Sequence, residues 1–367
     1  MFSAKPCTVS KLVGHKSITE APLSRVTLKD IARDVGVSVM TVSNVVNGNL
    51  SRVSPETAAR VEEAIAASGY VPNAAAQSLA ARRTRLVGLL LPSGPQDASL
   101  LVSPHDVSVA GALEATLRAK DYHLMLRGAS NARDVRDSVQ RWSLDGIVVM
   151  GFTDDELSRL DLPDGLPAVV IDSAFGDHAT LLHVRSDDFV GGRLAAEHLT
   201  ALGHRRVAFC GPVRTTSQVV SARLAGFASG VAAAGLADDD LPRLDADTTF
   251  TAGVDVGHRL ADARAASPAG CPTAVFATAD ILAAGIMRGL SERGVRVPDD
   301  VSVIGYDDAD LAQYVTPRLS TIAQDTPRKG QAAARLLLAT IEGANSPRAE
   351  QIAVSLIARE STASAPA

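Results

Sequence analysis

Seven short apolar runs constrain this chain more than anything else in it: LVGLLLP (86–92), YHLMLR (122–127), GIVVM (146–150), AVVID (168–172), RVAFC (206–210), TAVFA (273–277) and VSVIGYD (301–307). They lack strict apolar/polar alternation, so they belong in a parallel sheet covered on both faces, with the helical segments between them as the cover. Alternation of this kind over about 280 residues is too much for one small sheet and predicts an α/β body of two lobes. Such sheets take ligands beyond the carboxyl ends of their strands. Asp172 and Asp307 each end a run, and Arg223 lies in SARLAGF. The aspartates stand where such a ligand would bind, and each of the three, taken alone, is equally readable as a helix-capping aspartate or a surface arginine.

The chain upstream of these runs has a different period. Residues 26–48 read VTLKDIARDVGVSVMTVSNVVNG. Thr27 followed by Asp30 is a capping-box start, and Ile31, Ala32 and Val35 share one helical face. Gly36 ends that helix at little conformational cost. Ser38 caps a second helix, in which Val42, Val45 and Val46 form the buried stripe. A third helix begins at Ser54-Pro55 and ends at Gly69, closing a core through Val61 and Ile65. The other face of the second helix carries Val39, Met40, Ser43, Asn44 and Asn47. Their side chains are short and free of charge, which suits a helix laid in a DNA major groove. A three-helix bundle with a merely solvated polar face is the plain alternative.

Next comes NAAAQSLA, 73–80, helix-prone but only about two turns long, too short to be stable alone. It is either an alanine-rich linker or a hinge that becomes helical when paired, with Leu79 wedged into a base step of the minor groove. Residues 1–25 have little periodicity and are expected to be a flexible extension.

Charge divides the chain at the same place. Residues 1–85 carry 11 Lys/Arg against 6 Asp/Glu, and the remainder 25 against 35. A basic head on an acidic body fits a phosphate-binding module joined to a separate domain. No run of about 18 apolar residues suggests a membrane span, and no secretory signal opens the chain. Cys7, Cys210 and Cys271 are far apart and form no zinc motif, so neither a metal nor a cofactor is expected, and a reduced, cytoplasmic setting is. No GxGxxG, GxxxxGK[ST] or GxSxG motif supports an enzyme. A free-standing solute-binding protein would account for the body but not for the basic head.

The succession TLKDIARDVGVSVMTVSNVVNG, VSPETAARVEEAI, GYVPNAAAQSLA and RLVGLLLPS resembles the lac-repressor (LacI/GalR) family of bacterial transcription regulators. The resemblance covers Val26 to about Thr362. It implies an all-α helix-turn-helix head (26–71), a hinge helix and linker (72–85), and an effector-binding and dimerisation body (86–367). That body would be periplasmic-binding-protein-like, with two Rossmann-like lobes and a sugar-like or nucleoside effector between them. The expected partner is a near-palindromic duplex operator bound by a homodimer. Ser38, Thr41, Asn47, Ser54 and Thr57 match phosphate-contacting positions, and Val39, Met40 and Asn44 match base-reading ones. Thr27 and Ser43 complete the expected head contacts, and Asn73, Ala76 and Leu79 match the minor-groove hinge. Many relatives have arginine at the Asn44 position. Asparagine pairs with adenine where arginine prefers guanine, so a different operator is expected. In the body the resemblance assigns effector contacts to Asp172, Arg223, Asp307 and Phe250, the last equally readable as a core ring. Two departures stand out. Val102-Ser103-Pro104-His105 replaces an aromatic stretch, leaving His105 as a partial substitute or a polar surface group. Ala279-Asp280 replaces Asn-Asp, with loss of a ligand hydrogen bond.

Overall fold

The computed structural model describes residues 26–71, 83–93, 103–160, 165–173, 181–214, 217–236, 241–345 and 347–366. The chain divides into two compact units between Arg82 and Arg83. The expectations for residues 1–25 and for Asn73, Ala76 and Leu79 lie outside the described residues.

The smaller unit contains α1 (Leu28–Val35), α2 (Val39–Val46) and α3 (Pro55–Ser68). Its termini are those the side chains dictate. Thr27 and Asp30 form both halves of a capping box, and Gly36 closes α1 in the left-handed region at φ 74°. Ser38 and Ser54 accept from the backbone N–H groups of Thr41 and Thr57 at the starts of α2 and α3. Ile31, Ala32, Val35, Val42, Val45, Ala58 and Val61 form the core, while Val46 and Ile65 are only partly buried against it.

The larger unit holds twelve strands among the described residues. β1 (Leu86–Pro92), β2 (His123–Ala129), β3 (Gly146–Met150), β4 (Ala168–Ile171), β5 (Leu182–Ser186) and β11 (Ala349–Ile352) form one sheet, in the order β11-β5-β4-β3-β1-β2. β6 (Val207–Gly211), β7 (Arg243–Asp245), β8 (Ala274–Ala277), β9 (Ser302–Asp307), β10 (Ser320–Gln324) and β12 (Val354–Ile357) form the second, in the order β12-β10-β9-β8-β6-β7. The first sheet is wholly parallel; in the second, only β12 runs antiparallel to its neighbour. Each lobe therefore repeats the doubly wound order in which the strand sequence reverses beside its first strand.

Helices cover both faces. The first lobe has α4 (Pro104–Arg118), α5 (Ala132–Trp142) and α6 (Asp154–Leu160). The second has α7 (Asp188–Ala201), α8 (Gln218–Ala233), α9 (Phe250–Ala266), α10 (Asp280–Glu292) and the short α11 (Leu311–Tyr314). α12 (Thr326–Ile341) follows β10 of the second sheet yet buries Ala332, Ala333 and Leu337 against β1, β3 and β4 of the first. The chain thus passes between lobes at 186–188, 324–326 and 352–354. One expectation needs correcting in detail. YHLMLR contributes β2, an edge strand with Leu126 exposed and not a strand buried on both faces, because β1 is its single neighbour.

Candidate functional site

In the smaller unit, Val39 and Met40 are large apolar residues left in solvent, 41% and 70% exposed, at the first turn of α2. Burial cannot be their purpose. Asn44 follows one turn later and is half-buried, and Asn47 donates from Nδ2 to Ser43 Oγ at 3.2 Å. The Ser38 and Thr41 hydroxyls lie 2.9 Å apart, and Ser54 Oγ donates to Thr57 Oγ1 at 2.8 Å. Each pair sits at a helix N-terminus, where unpaired backbone N–H groups and the helix dipole favour an anion such as a phosphate. The surface can offer apolar contact, one amide for base reading, and two anion-binding helix starts. Thr27 is occupied by its capping box; its hydroxyl donates to Asp30 at 2.7 Å.

In the larger unit, the carboxyl ends of both sheets converge on a cavity of about 370 Å³. Met150 ends β3 with Gly151 and Phe152 after it, and Asp172 follows β4, on the first lobe; Pro212, Thr278 and Asp307 stand at the ends of β6, β8 and β9 on the second. Three aspartates at these strand ends hold left-handed backbones that L-residues avoid: Asp172 at φ 59°, Asp307 at 118° and Asp308 at 56°. Strain of this kind is retained where the surroundings need the side chain in one place. Among the described residues, Thr278 Oγ1 is the buried side-chain polar atom without a hydrogen-bond partner, and Thr278 also lines this cavity.

Arg223 reaches the cavity from the first turns of α8. Its Nε donates to Asp188 Oδ1 at 2.8 Å and its Nη1 to the Thr278 carbonyl at 2.6 Å. The guanidinium carbon lies 3.5 Å from the Tyr306 ring centroid, a cation–π contact, and the Tyr306 hydroxyl donates to the same Asp188 oxygen at 3.1 Å. Burial opposes the charge on Arg223, but Asp188 outweighs it and holds the group fully protonated. Among the described residues, no cation bonds to Asp307. Burial raises its pKa, which nearby cations and the Gln324 amide only partly offset.

The opposite wall is a run of alternating charges. Asp106 Oδ1 lies 3.0 Å from His105 Nδ1, His105 Nε2 lies 3.2 Å from Asp172 Oδ2, and Lys329 Nζ donates to both Asp172 oxygens at 2.6 and 2.7 Å. Burial would raise the Asp172 pKa, yet Lys329 and His105 hold it far below the ordinary carboxylate range. For His105, burial and Lys329 both favour the neutral ring; the carboxylates of Asp106 and Asp172 win and lift its pKa to about 9. Lys329 Nζ and His105 Nε2 are 3.3 Å apart, a spacing two donors tolerate because both face the Asp172 carboxylate.

A group whose pKa rises on folding stabilises the fold below its unfolded pKa, and that stability is lost as pH climbs through the folded value. For His105 the window runs from about 6.5 to about 9. Between pH 7 and 10 the melting temperature of the wild type is therefore expected to fall more steeply than that of His105→Gln. The difference would correspond to as much as about 3 kcal/mol, read by thermal unfolding at matched ionic strength.

The structure places Asp172, Arg223 and Asp307 on the wall of one cavity. It does not bring Phe250 there. That ring opens α9, is 42% exposed, and belongs neither to the cavity wall nor to a core; Thr248 takes the place at the wall. His105 is no surface group: its side chain is 12% exposed and joins two carboxylates. Ala279 does line the cavity, with a methyl group in place of a hydrogen-bonding side chain. Lys329, Gln324, Asp188 and Tyr306 are functional neighbours that the sequence did not reveal. A lysine one turn into an apolar-striped helix is the sole signal, and it reads as solvated.

Residues 27–73 match the model of the bacterial regulatory proteins, lacI family, and residues 196–362 match the periplasmic binding protein-like domain. The chain is 33% identical over 325 residues to the HTH-type transcriptional regulator CelR of Thermobifida fusca, covering 87% of this chain and 93% of CelR. It is 33% identical over 320 residues to the HTH-type transcriptional repressor PurR of Serratia proteamaculans, covering 85% and 89%. Among solved structures it is similar to a lac repressor dimer bound to operator and the anti-inducer ONPF, with a TM-score of 0.78 at 28% identity over 92% of this chain and 99% of that one. It is also similar to a CelR–cellobiose complex, with a TM-score of 0.66 at 30% identity over 92% and 100%.

Proposed function

The chain belongs to the lacI family of bacterial regulatory proteins, and on that premise we propose that it is a cytoplasmic, dimeric repressor whose hold on a near-palindromic operator is set by a small neutral polyol in the cleft of its body. One observation carries the reading: a helix-turn-helix head and a cavity bearing charged side chains at the strand ends of two doubly wound lobes occur in one chain. The lobes bias the paired heads by population shift. An effector that prefers one lobe arrangement alters operator affinity, and the operator must alter effector affinity by the same factor, typically worth about 1–3 kcal/mol.

The charges narrow the effector. Among the described residues at the cavity, each cation already has a carboxylate partner: His105 with Asp106 and Asp172, Lys329 with Asp172, and Arg223 with Asp188. Among the described residues, Asp307 accepts from the Gln324 amide and forms no ion pair. An anionic ligand would bring charge to a wall with no spare cation. A sugar or nucleoside offers hydroxyl donors to Asp307 and acceptors to Arg223. Relatives solved with cellobiose and with ribose are consistent with that class. Neutral sugars and nucleosides are expected to raise the melting temperature where ribose 5-phosphate does not; preference for the phosphate would overturn the assignment.

In the head, Asn44 is proposed to read adenine in the major groove, with Val39 and Met40 against thymine methyls. Selection of duplexes from a random pool should return a near-palindrome. Asn44→Arg is expected to move the preference at one position of each half-site from adenine to guanine, a discrimination of about 1–3 kcal/mol. An unchanged selected sequence removes Asn44 from base reading.

A further inference from the structure

Lys329 is fully buried behind the cavity wall, where it does not line the cavity but bonds to Asp172 and Gln324, which do. An ammonium has three N–H donors. Here two meet Asp172 and the third meets Gln324 Oε1. With His105 added, three of the roughly four acceptor sites on the Asp172 carboxylate are taken. Asp172 is therefore poorly placed to receive an effector hydroxyl, although it stands at the strand end where such a contact is expected.

The partners of Lys329 do not stop at one lobe. Asp172 follows β4 and Lys329 lies on α12, both packed in the first lobe. Gln324 ends β10 at a crossing between lobes. Its Oε1 also accepts from Ser186 Oγ at 2.7 Å, at another crossing, and its Nε2 donates to Asp307 at the end of β9 in the second lobe. An unbroken polar chain, Asp172–Lys329–Gln324–Asp307, thus joins the strand ends of the two lobes by side chains alone. We infer that Lys329 is a positioning residue that acts as an internal substitute for the effector: it saturates Asp172 and, through Gln324 and Asp307, holds the lobes together when the cleft is empty. An entering polyol then competes with Gln324 for Asp307 and leaves Asp172 with its lysine. The lobes are connected by three backbone crossings, so modest side-chain ties at those crossings are enough to weight one hinge arrangement over another.

The test is a lobe-to-lobe distance in ligand-free, full-length protein. Spin labels are placed at Asp137→Cys on α5 and Ala232→Cys on α8, both exposed, in a Cys7→Ser background. Cys210 and Cys271 are buried and are left in place. Labelled chains are diluted into unlabelled protein so that distances within one subunit dominate. The wild type is expected to give one narrow distribution. The charge-balanced pair Lys329→Met with Asp172→Asn, and separately Gln324→Ala, are each expected to broaden it or to add a second, longer population. Either variant alone suffices should the other fail to fold. Distributions identical to the wild type would overturn the proposal, even with a lowered melting temperature, because a merely structural lysine lowers stability without freeing the lobes. No effector enters the experiment, so failure here and failure of sugars to bind remain distinguishable.

Discussion

Lys329→Met is expected to destabilise the body by up to about 3–5 kcal/mol, the usual cost of removing one partner of a buried ion pair, with His105 remaining beside Asp172. For a unit of this size that is a fall in melting temperature of about 10 °C, at roughly 2–4 °C per kcal/mol. The reason lies in what stays behind. The Asp172 side chain is 15% exposed, and its two short bonds to the ammonium would be replaced by a thioether that donates nothing. Gln324 Oε1 loses a donor as well. Removing the second charge should restore most of the loss, since an absent pair costs far less than half a pair. Asparagine is the suitable partner substitution, because it tolerates the left-handed backbone of Asp172 at φ 59°. Thermal unfolding of the two single variants and the double variant closes the cycle. A double variant no more stable than Lys329→Met would mean that the lysine acts through packing and not through its charge.

The second large effect is expected from backbone contact and not from charge. A Cβ at Gly226 would lie 1.9 Å from the Phe189 carbonyl oxygen, and one at Gly192 would lie 2.0 Å from that of Arg223. The backbones of α7 and α8 are therefore in contact, and Gly226→Ala must part them. Overpacking of this kind costs about 1–3 kcal/mol and occasionally more. The same two helices carry Asp188 and Arg223, whose bond is 2.8 Å long. Gly226→Ala is thus expected to lower the melting temperature and abolish the response of operator binding to effector together, although residue 226 does not line the cavity. Retained response with unaltered stability would show that the contact can relax without disturbing the ion pair.

Much of this was legible in the sequence for identifiable reasons. The strands that could be read are those buried on both faces, where the apolar run is continuous. LHVRS and RLD became β5 and β7 without such a run, because short or interrupted strands take their definition from neighbours. Asp172 and Asp307 were readable because they end runs, and the head was readable because caps and glycines act locally. Phe250 was not, since a ring at a helix start gives no sign of which way it faces. Lys329 was not, since QDTPRKGQAAARLLL specifies an amphipathic helix but not that it folds back onto the earlier lobe. Its partner Asp172 lies 157 residues away, beyond any periodicity.

That return of α12 and β11 to the first sheet has a consequence for synthesis on the ribosome. The helical head is complete once about seventy residues have emerged, as its core needs nothing later. The first lobe cannot be completed in the same way. One edge of its sheet is residues 349–352, and its core contains Ala332, Ala333 and Leu337. β5 waits with an open edge while most of the second lobe, residues 188–324, is translated. The nascent chain therefore carries a finished DNA-binding module long before the part that controls it exists, and its unfinished lobe is the stretch most exposed to mispairing or to chaperone capture.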